Sequence, residues 1–283
     1  MQDLAAQLVR DYRELVALPE VAIQINQMVE DPDCHLEALG DVISKDPALT
    51  MRLLGIANSP FYGFPTEVCD VERAVALLGM KQLRDLVLST AATRAFEGIP
   101  ISVISVEDFW QHSFYCGLVS EALAKAAGFK HASLFVAGLL HDIGQLILFH
   151  RFPQQMNDAI LMSIEGEEPL PLIQAEQQLL GTDHTEVGAE LARDWHLPTQ
   201  LVDVIAFHHR PAEAGEYQQV VALVHIANAI ADLLYVDDAE IEAQLEVDPQ
   251  SWQWAGVTRD AVFPAVQQAR EKLASLRQSY FQS

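Results

Sequence analysis

Apolar residues recur at three- and four-residue spacing along nearly the whole chain. Leu4, Leu8, Leu15 and Leu18 mark one such stripe, and Val75, Leu78, Leu83, Leu86 and Val87 mark another. This period puts apolar side chains on one helix face, whereas a half-buried strand would alternate every second residue. Alternating segments are almost absent, so the pattern predicts an all-α fold. The stripes and their punctuation place helices near 3–17, 20–30, 35–44, 46–57, 70–78, 80–96, 107–127, 132–150, 153–164, 168–180, 184–195, 199–209 and 217–235, with a C-terminal group ending in one near 259–281. Starts are marked by Asp46-Pro47, by Ser105 three residues before Asp108, by Thr182 or Asp183, and by Pro198. Gly79, Gly98, Gly128 and Gly144 sit near the ends of periodic stretches. No Gly/Ser- or Pro-rich linker interrupts residues 1–235, which predicts one compact unit followed by a helical C-terminal extension over 236–283. The helices share no repeated motif, which disfavours a solenoid.

Composition narrows the functional classes. The 283 residues are 50% hydrophobic and 20% charged, as in an ordinary soluble globular protein. Seventeen basic residues against 40 acidic ones give a net charge of -23, which repels nucleic acid and anionic membrane surfaces. Apolar runs such as Leu134 to Leu140 are too short to span a bilayer, and the start Met1-Gln2-Asp3-Leu4 lacks the basic, apolar character of a signal peptide. A cytoplasmic location is expected. Cys34, Cys69 and Cys116 are scattered and odd in number, which fits reduced thiols serving as small core residues.

The chemistry concentrates in histidine. His141-Asp142 lies in the apolar run Val136-Ala137-Gly138-Leu139-Leu140-His141-Asp142-Ile143-Gly144, and buried polar groups of this kind demand partners. His112, His184, His208 and His209 complete an ordered series, so five of the ten histidines fall in it. A lone histidine in an apolar helix is ordinarily a hydrogen-bonded core residue. Five in comparable apolar settings point to a shared purpose. Imidazoles with one carboxylate suit Zn, Mn, Fe or Ni rather than an oxygen-only calcium site, and one or two ions fit the set. If the site is active, Asp142 bridges two ions, which would activate water and clamp a phosphoester.

Several segments together resemble the HDOD branch of the HD superfamily of metal-dependent phosphohydrolases. They are Leu18-Pro19, Ile43-Ser44-Lys45-Asp46-Pro47-Ala48-Leu49-Thr50, Leu53-Leu54-Gly55-Ile56-Ala57-Asn58-Ser59, Ala74-Val75-Ala76-Leu77-Leu78-Gly79, Phe109-Trp110-Gln111-His112-Ser113, Ala137 to Gly144, His184-x-x-Val187-Gly188-Ala189, Trp195-His196-Leu197-Pro198 and Val224-His225-Ile226-Ala227-Asn228. The resemblance implies a helical N-terminal half, residues 1–105, packed on an HD-like half over 106–235. It also implies a bacterial regulatory module that acts by binding a signalling protein. By similarity to two-metal HD-GYP enzymes, His112, His141, Asp142, His184, His208 and His209 occupy ligand-type positions. Where those enzymes have a final metal-binding Asp, this chain has Asn228, and the Gly-Tyr-Pro sequence tied to cyclic di-GMP hydrolysis is missing. Asp232, one turn after Asn228, is about 5 Å further along the helix and a poor direct substitute. The alternative reading is an active phosphohydrolase acting on a nucleotide or other phosphoester. His225 is expected in a core or surface role, and His35, His131, His150 and His196 in surface or local hydrogen bonds. The Asn58-to-Gly63 loop is expected to be structural, with Asn58 satisfying backbone groups and Phe61 and Tyr62 anchoring it. Glu165-Gly166-Glu167-Glu168 and Asp237-Asp238 read as solvated acidic turns.

Overall fold

Side-chain caps set where several helices begin in the computed structural model, which describes residues 4–59, 62–129, 133–165 and 169–281. Helices run over Leu4–Tyr12 (α1), Glu20–Glu30 (α2), Leu36–Ser44 (α3), Pro47–Ala57 (α4), Val71–Ala95 (α5), Val106–Ala126 (α6), Leu134–Leu140 (α7), Ile143–Arg151 (α8), Pro153–Ile164 (α9) and Leu172–Leu180 (α10). They continue over His184–Asp194 (α11), Thr199–Phe207 (α12), Gln218–Ala231 (α13), Asp238–Gln244 (α14), Pro249–Ala255 (α15) and Val262–Phe281 (α16). The fold is all-α, with no strand among the described residues. Asp46, Asp70, Ser105 and Asp183 accept first-turn N–H groups at the starts of α4, α5, α6 and α11, satisfying donors that a helix start otherwise leaves orphaned.

The first stripe is shorter as a helix than its periodicity. The stripe over 3–17 is helical only to Tyr12, although Val16 stays buried and its carbonyl accepts from the Trp195 indole. The stretches expected over 70–78 and 80–96 are separated as expected: Gly79 between them takes φ 76, a non-helical conformation that breaks the axis of α5.

The core is built around α6, on which α7, α13 and α16 all pack. The N-terminal helices α2, α3 and α4 pack on α5, and α5 in turn meets α7. The chain beyond residue 235 lies against the body: α15 packs on α13, and α16 buries Val262, Val266, Ala269, Leu273 and Leu276. Burial of apolar side chains on this scale, worth roughly 1.5–3 kcal/mol for each large residue, is what fixes short helices that would be marginal alone.

Local polar details correct or extend the sequence reading. Asn58 bonds the Leu54 carbonyl and both backbone groups of Val68, so its loop is held as expected. Tyr62 stacks on Phe64, while Phe61 lies outside the described residues, as do His131 and residues 166–168 of the acidic turn. Only Cys116 is a core thiol; Cys34 is half-buried and Cys69 exposed. His150 Nδ1 lies 2.5 Å from Tyr12 Oη, across 138 residues of chain.

Candidate metal centre

Helix α7 ends at Leu140 and α8 begins at Ile143, so His141 and Asp142 form a break between two helices where periodicity predicts one over 132–150. Asp142 takes φ -102 and ψ 10, and this turn lets both side chains point the same way, which adjacent residues inside a helix cannot do. Glycine makes the geometry accessible. A β-carbon on Gly144 would lie 2.1 Å from the His184 carbonyl oxygen and 2.6 Å from the Gly188 nitrogen. One on Gly138 would lie 2.6 Å from Gly117 Cα. Helices α8 and α11, and α7 and α6, therefore approach more closely than side chains permit, drawing Asp142 onto His184 and His141 onto His112.

Six sequence-predicted residues converge there. Asp142 Oδ1 lies 3.4 Å from His184 Nε2 and 3.3 Å from His208 Nε2. Its Oδ2 lies 3.3 Å from His141 Nε2 and 3.9 Å from His112 Nε2. His209 Nε2 sits 3.1 Å from His184 Nε2. The carboxylate thus divides the imidazoles into one group of Asp142, His184, His208 and His209 and another of His112, His141 and Asp142, with ligand atoms within 4.8 Å of one another in each.

Tautomers follow from the far side of each ring. His141 Nδ1 is 2.6 Å from the Gly138 carbonyl, His208 Nδ1 is 3.0 Å from that of Ile205, and His184 Nδ1 is 2.6 Å from Glu176 Oε2. Those oxygens can only accept, so each Nδ1 carries a proton and each neutral ring presents its Nε2 lone pair to Asp142. Lone pairs facing a carboxylate repel unless a proton or cation sits among them. Asp142 Oδ1 and His208 Nε2 are in fact buried without a hydrogen-bond partner. Orphaned donor atoms of this kind, in an imidazole-rich set with one carboxylate, fit a divalent transition ion.

Protons can take the same role. Burial disfavours a charged His141, but the adjacent Asp142 carboxylate outweighs it and holds the ring protonated well above its usual range. Burial likewise opposes the charged Asp142, yet His141 and its neighbours hold it well below the usual carboxylate range. His184 is pushed up to about 9 because the Glu176 carboxylate overcomes the cost of burial. His208 is pushed down to about 4, and His209 well below its usual range, by burial and the neighbouring imidazoles.

Asn228, on α13, stands at the other side of the cluster with Oδ1 2.9 Å from His112 Nε2 and 3.0 Å from His141 Nε2. Asp232 does not join Asp142; its carboxylate lies 3.8 Å from His112 Nδ1, behind the ring. Two supporting residues lie outside the six ligand-type positions. Glu176 is fully buried in α10, where a carboxylate inside an apolar helix was the available signal. His225, expected in a core or surface role, bonds the His208 carbonyl at 2.7 Å and so steadies the backbone of a ligand-type residue.

The HDOD domain family matches residues 15–211. The chain belongs to the HDOD family. Its fold is similar to that of a protein from Shewanella amazonensis SB2B provisionally named a phosphohydrolase, with 28% identity, 96% of each chain covered and a TM-score of 0.75. An HDOD domain protein of unknown function from Geobacter sulfurreducens is 25% identical, with 98% of this chain and 97% of that one covered and a TM-score of 0.74. A protein of Treponema pallidum (strain Nichols) without a characterised function is 29% identical over 232 residues, covering 80% of this chain. The match spans 44% of that relative's length.

Proposed function

We propose that this HDOD protein is a regulatory module that acts by binding a signalling protein, with its histidine–aspartate centre taking up a divalent transition ion as part of the scaffold. Asn228 carries this reading. A neutral amide faces His112 and His141, so Asp142 is the one carboxylate shared by both ligand groups. Two dications on one buried carboxylate would leave a large uncompensated charge in a low-dielectric site. One ion held by Asp142, His184, His208 and His209 fits better than a pair. Iron, manganese, nickel and zinc all suit this donor set.

The cavity above the cluster supports the same reading. It has a volume of about 450 Å³ and is walled by Phe109 and Phe149, with Asp108 and Asp232 at its polar edge and no Lys or Arg among its described lining residues. Such a wall does not attract a phosphoester anion. Among the described residues no helix is long and apolar enough to cross a membrane. We place the protein in the cytoplasm, in keeping with its unpaired thiols.

Elemental analysis of the purified chain should find no more than about one transition ion per molecule, with nucleotides and cyclic dinucleotides left intact in added Mn or Ni. Turnover of either class that Asp142→Ala abolishes would overturn the scaffold role. That second reading, a phosphohydrolase, is favoured by the position of Asp142 between two ligand groups. Bound ions would supply Lewis acidity toward water and a phosphoester. The chain itself would hold them through Asp142 and the fixed tautomers, while Phe109 and Phe149 limit water at the site.

A further inference from the structure

Helix α1 packs on α11, in the later part of the chain, while α2, α3 and α4 pack on α5. It crosses to the half that carries the histidines. It also precedes the residues matched by the HDOD family, which begin at 15, whereas α11 and α12 lie within them.

The side chains of α1 are those of a helix seated in a groove. Ala5, Leu8, Val9 and Tyr12 are buried at spacings of three and four, while Gln7 and Arg10 are exposed. At its C-terminal end, Tyr12 Oη lies 2.5 Å from His150 Nδ1, Arg13 pairs with Asp194, and the Val16 carbonyl accepts from the Trp195 indole at 3.0 Å. At the other end the groove runs on. Leu4 and Ala5 border a cavity of about 840 Å³ whose apolar lining continues over Leu180, Ala189, Ala206 and Phe207. Nine residues are too few for a helix that is stable by itself in water, so burial in this groove is what keeps α1 helical.

The rim of the groove is acidic. Glu186, Glu190 and Asp194 follow one another at four-residue spacing and so form one ridge of α11. The cations beside them are taken: Arg193 by Glu190 at 2.5 Å, and Arg210 by Asp183 and Glu213 at 3.9 and 3.6 Å. Asp194, the last acid of the ridge, is met by Arg13 from the α1 segment itself. A helix that takes the place of α1 must therefore bring a cation to Asp194.

We propose that the groove on α11 is the docking site for an amphipathic, basic-edged helix of the signalling partner, and that α1 fills it in cis until the partner displaces it; this rests on the reading of the protein as one that binds such a partner. The occupant carries an apolar stripe spaced like Ala5, Leu8, Val9 and Tyr12, followed by an arginine or lysine for Asp194. Displacement undocks α1 while the core around α6 stays closed.

Hydrogen exchange of the full chain should show α1 amides exchanging at least about a hundredfold faster than those of α6 and α11. Exchange of α1 together with α6 would mean that it opens only with the core, and would overturn the proposal. Docking in trans is read by fluorescence anisotropy with a labelled peptide of residues 4–18. Full-length chain carrying Leu8→Asp should bind this peptide at least about tenfold more tightly than the native chain does, because the cis helix no longer competes. Within the peptide, Leu8→Asp should abolish binding, and Arg13→Glu should weaken it at least about fivefold through repulsion from Asp194. No saturable binding to the loosened chain, or binding indifferent to both peptide changes, overturns the groove. If the Leu8→Asp chain fails to fold, Arg13→Glu, at a side chain 65% exposed, loosens α1 in its place. Native dimers in sedimentation that Leu8→Asp abolishes would make a second copy the occupant and overturn the partner assignment. Failure of the groove leaves the regulatory reading standing, whereas phosphoester turnover would sink that reading and leave peptide binding untouched.

Discussion

Asn228→Asp is the most informative single substitution at the centre. It would give His112 and His141 a carboxylate of their own in place of a neutral amide 2.9 and 3.0 Å away. The expected result is at least about a tenfold gain in transition-metal affinity and a second bound ion, read by elemental analysis and calorimetry. Asp142→Ala should cut bound metal below about a tenth of the native content, since both ligand groups lose their shared anion. In chelator the protonation pattern also makes stability depend on pH. His184 has its folded pKa raised to about 9, so its contribution is complete below about 6.5 and is lost as pH rises through 9. His208 has its folded pKa lowered to about 4, so its contribution is present above about 6.5 and is lost as pH falls through 4. Denaturant midpoints of the metal-free chain should therefore fall as pH rises from 6.5 through 9; a flat or rising profile over that range would contradict the assignment of His184. The six ligand-type residues were legible from spacing and apolar context. Glu176 was not, because its partner His184 becomes visible only when the α10–α11 turn is folded, at a Glu176 Oε2 to His184 Nδ1 distance of 2.6 Å.

At the scale of elements, glycine contacts decide whether the residues meet. Gly144→Ala would force α8 off α11, with a β-carbon 2.1 Å from the His184 carbonyl, and should cost at least about 3 kcal/mol in chemical denaturation while lowering metal content. Removing the α11 cap with Asp183→Ala is a milder change with a similar address, expected to cost about 1–2 kcal/mol, because Asp183 Oδ1 accepts from the Thr185 and Glu186 amides. Helix existence and most starts were readable from the apolar period and the caps, as Asp46-Pro47 and Ser105 illustrate. The break at His141-Asp142 was hidden, since the run Leu134 to Leu148 is apolar and periodic straight across it. What ends α7 there is the tertiary approach of Gly144 to His184, a contact 40 residues away in the chain. Tertiary closure also explains Val16, which lies past the end of α1 yet is buried against Trp195.

For the molecule as a whole, charge and the seam where α5 meets α7 matter most. A net charge of -23 favours a partner with a basic surface, and association should weaken steeply as salt rises; binding indifferent to salt would argue for an apolar contact instead. The seam is held by Arg84, Asp85, Ser133 and Glu30, a network that no periodicity reveals because its members come from three separate helical regions. It is also where the N-terminal helices meet the half that carries the histidines, through α5 and α7. Helix α16, in the C-terminal extension expected over 236–283, packs on both α6 and α4.

The far-side partners of the histidines bear on how such a centre drifts. His141 and His208 are oriented by main-chain carbonyls, of Gly138 and Ile205, which no point mutation can delete. His184 depends on the side chain of Glu176, which a single codon change can remove. Under relaxed selection the centre would therefore decay unevenly: the orientation of His184 is exposed to one mutation, while that of its neighbours is inherited with the helices themselves.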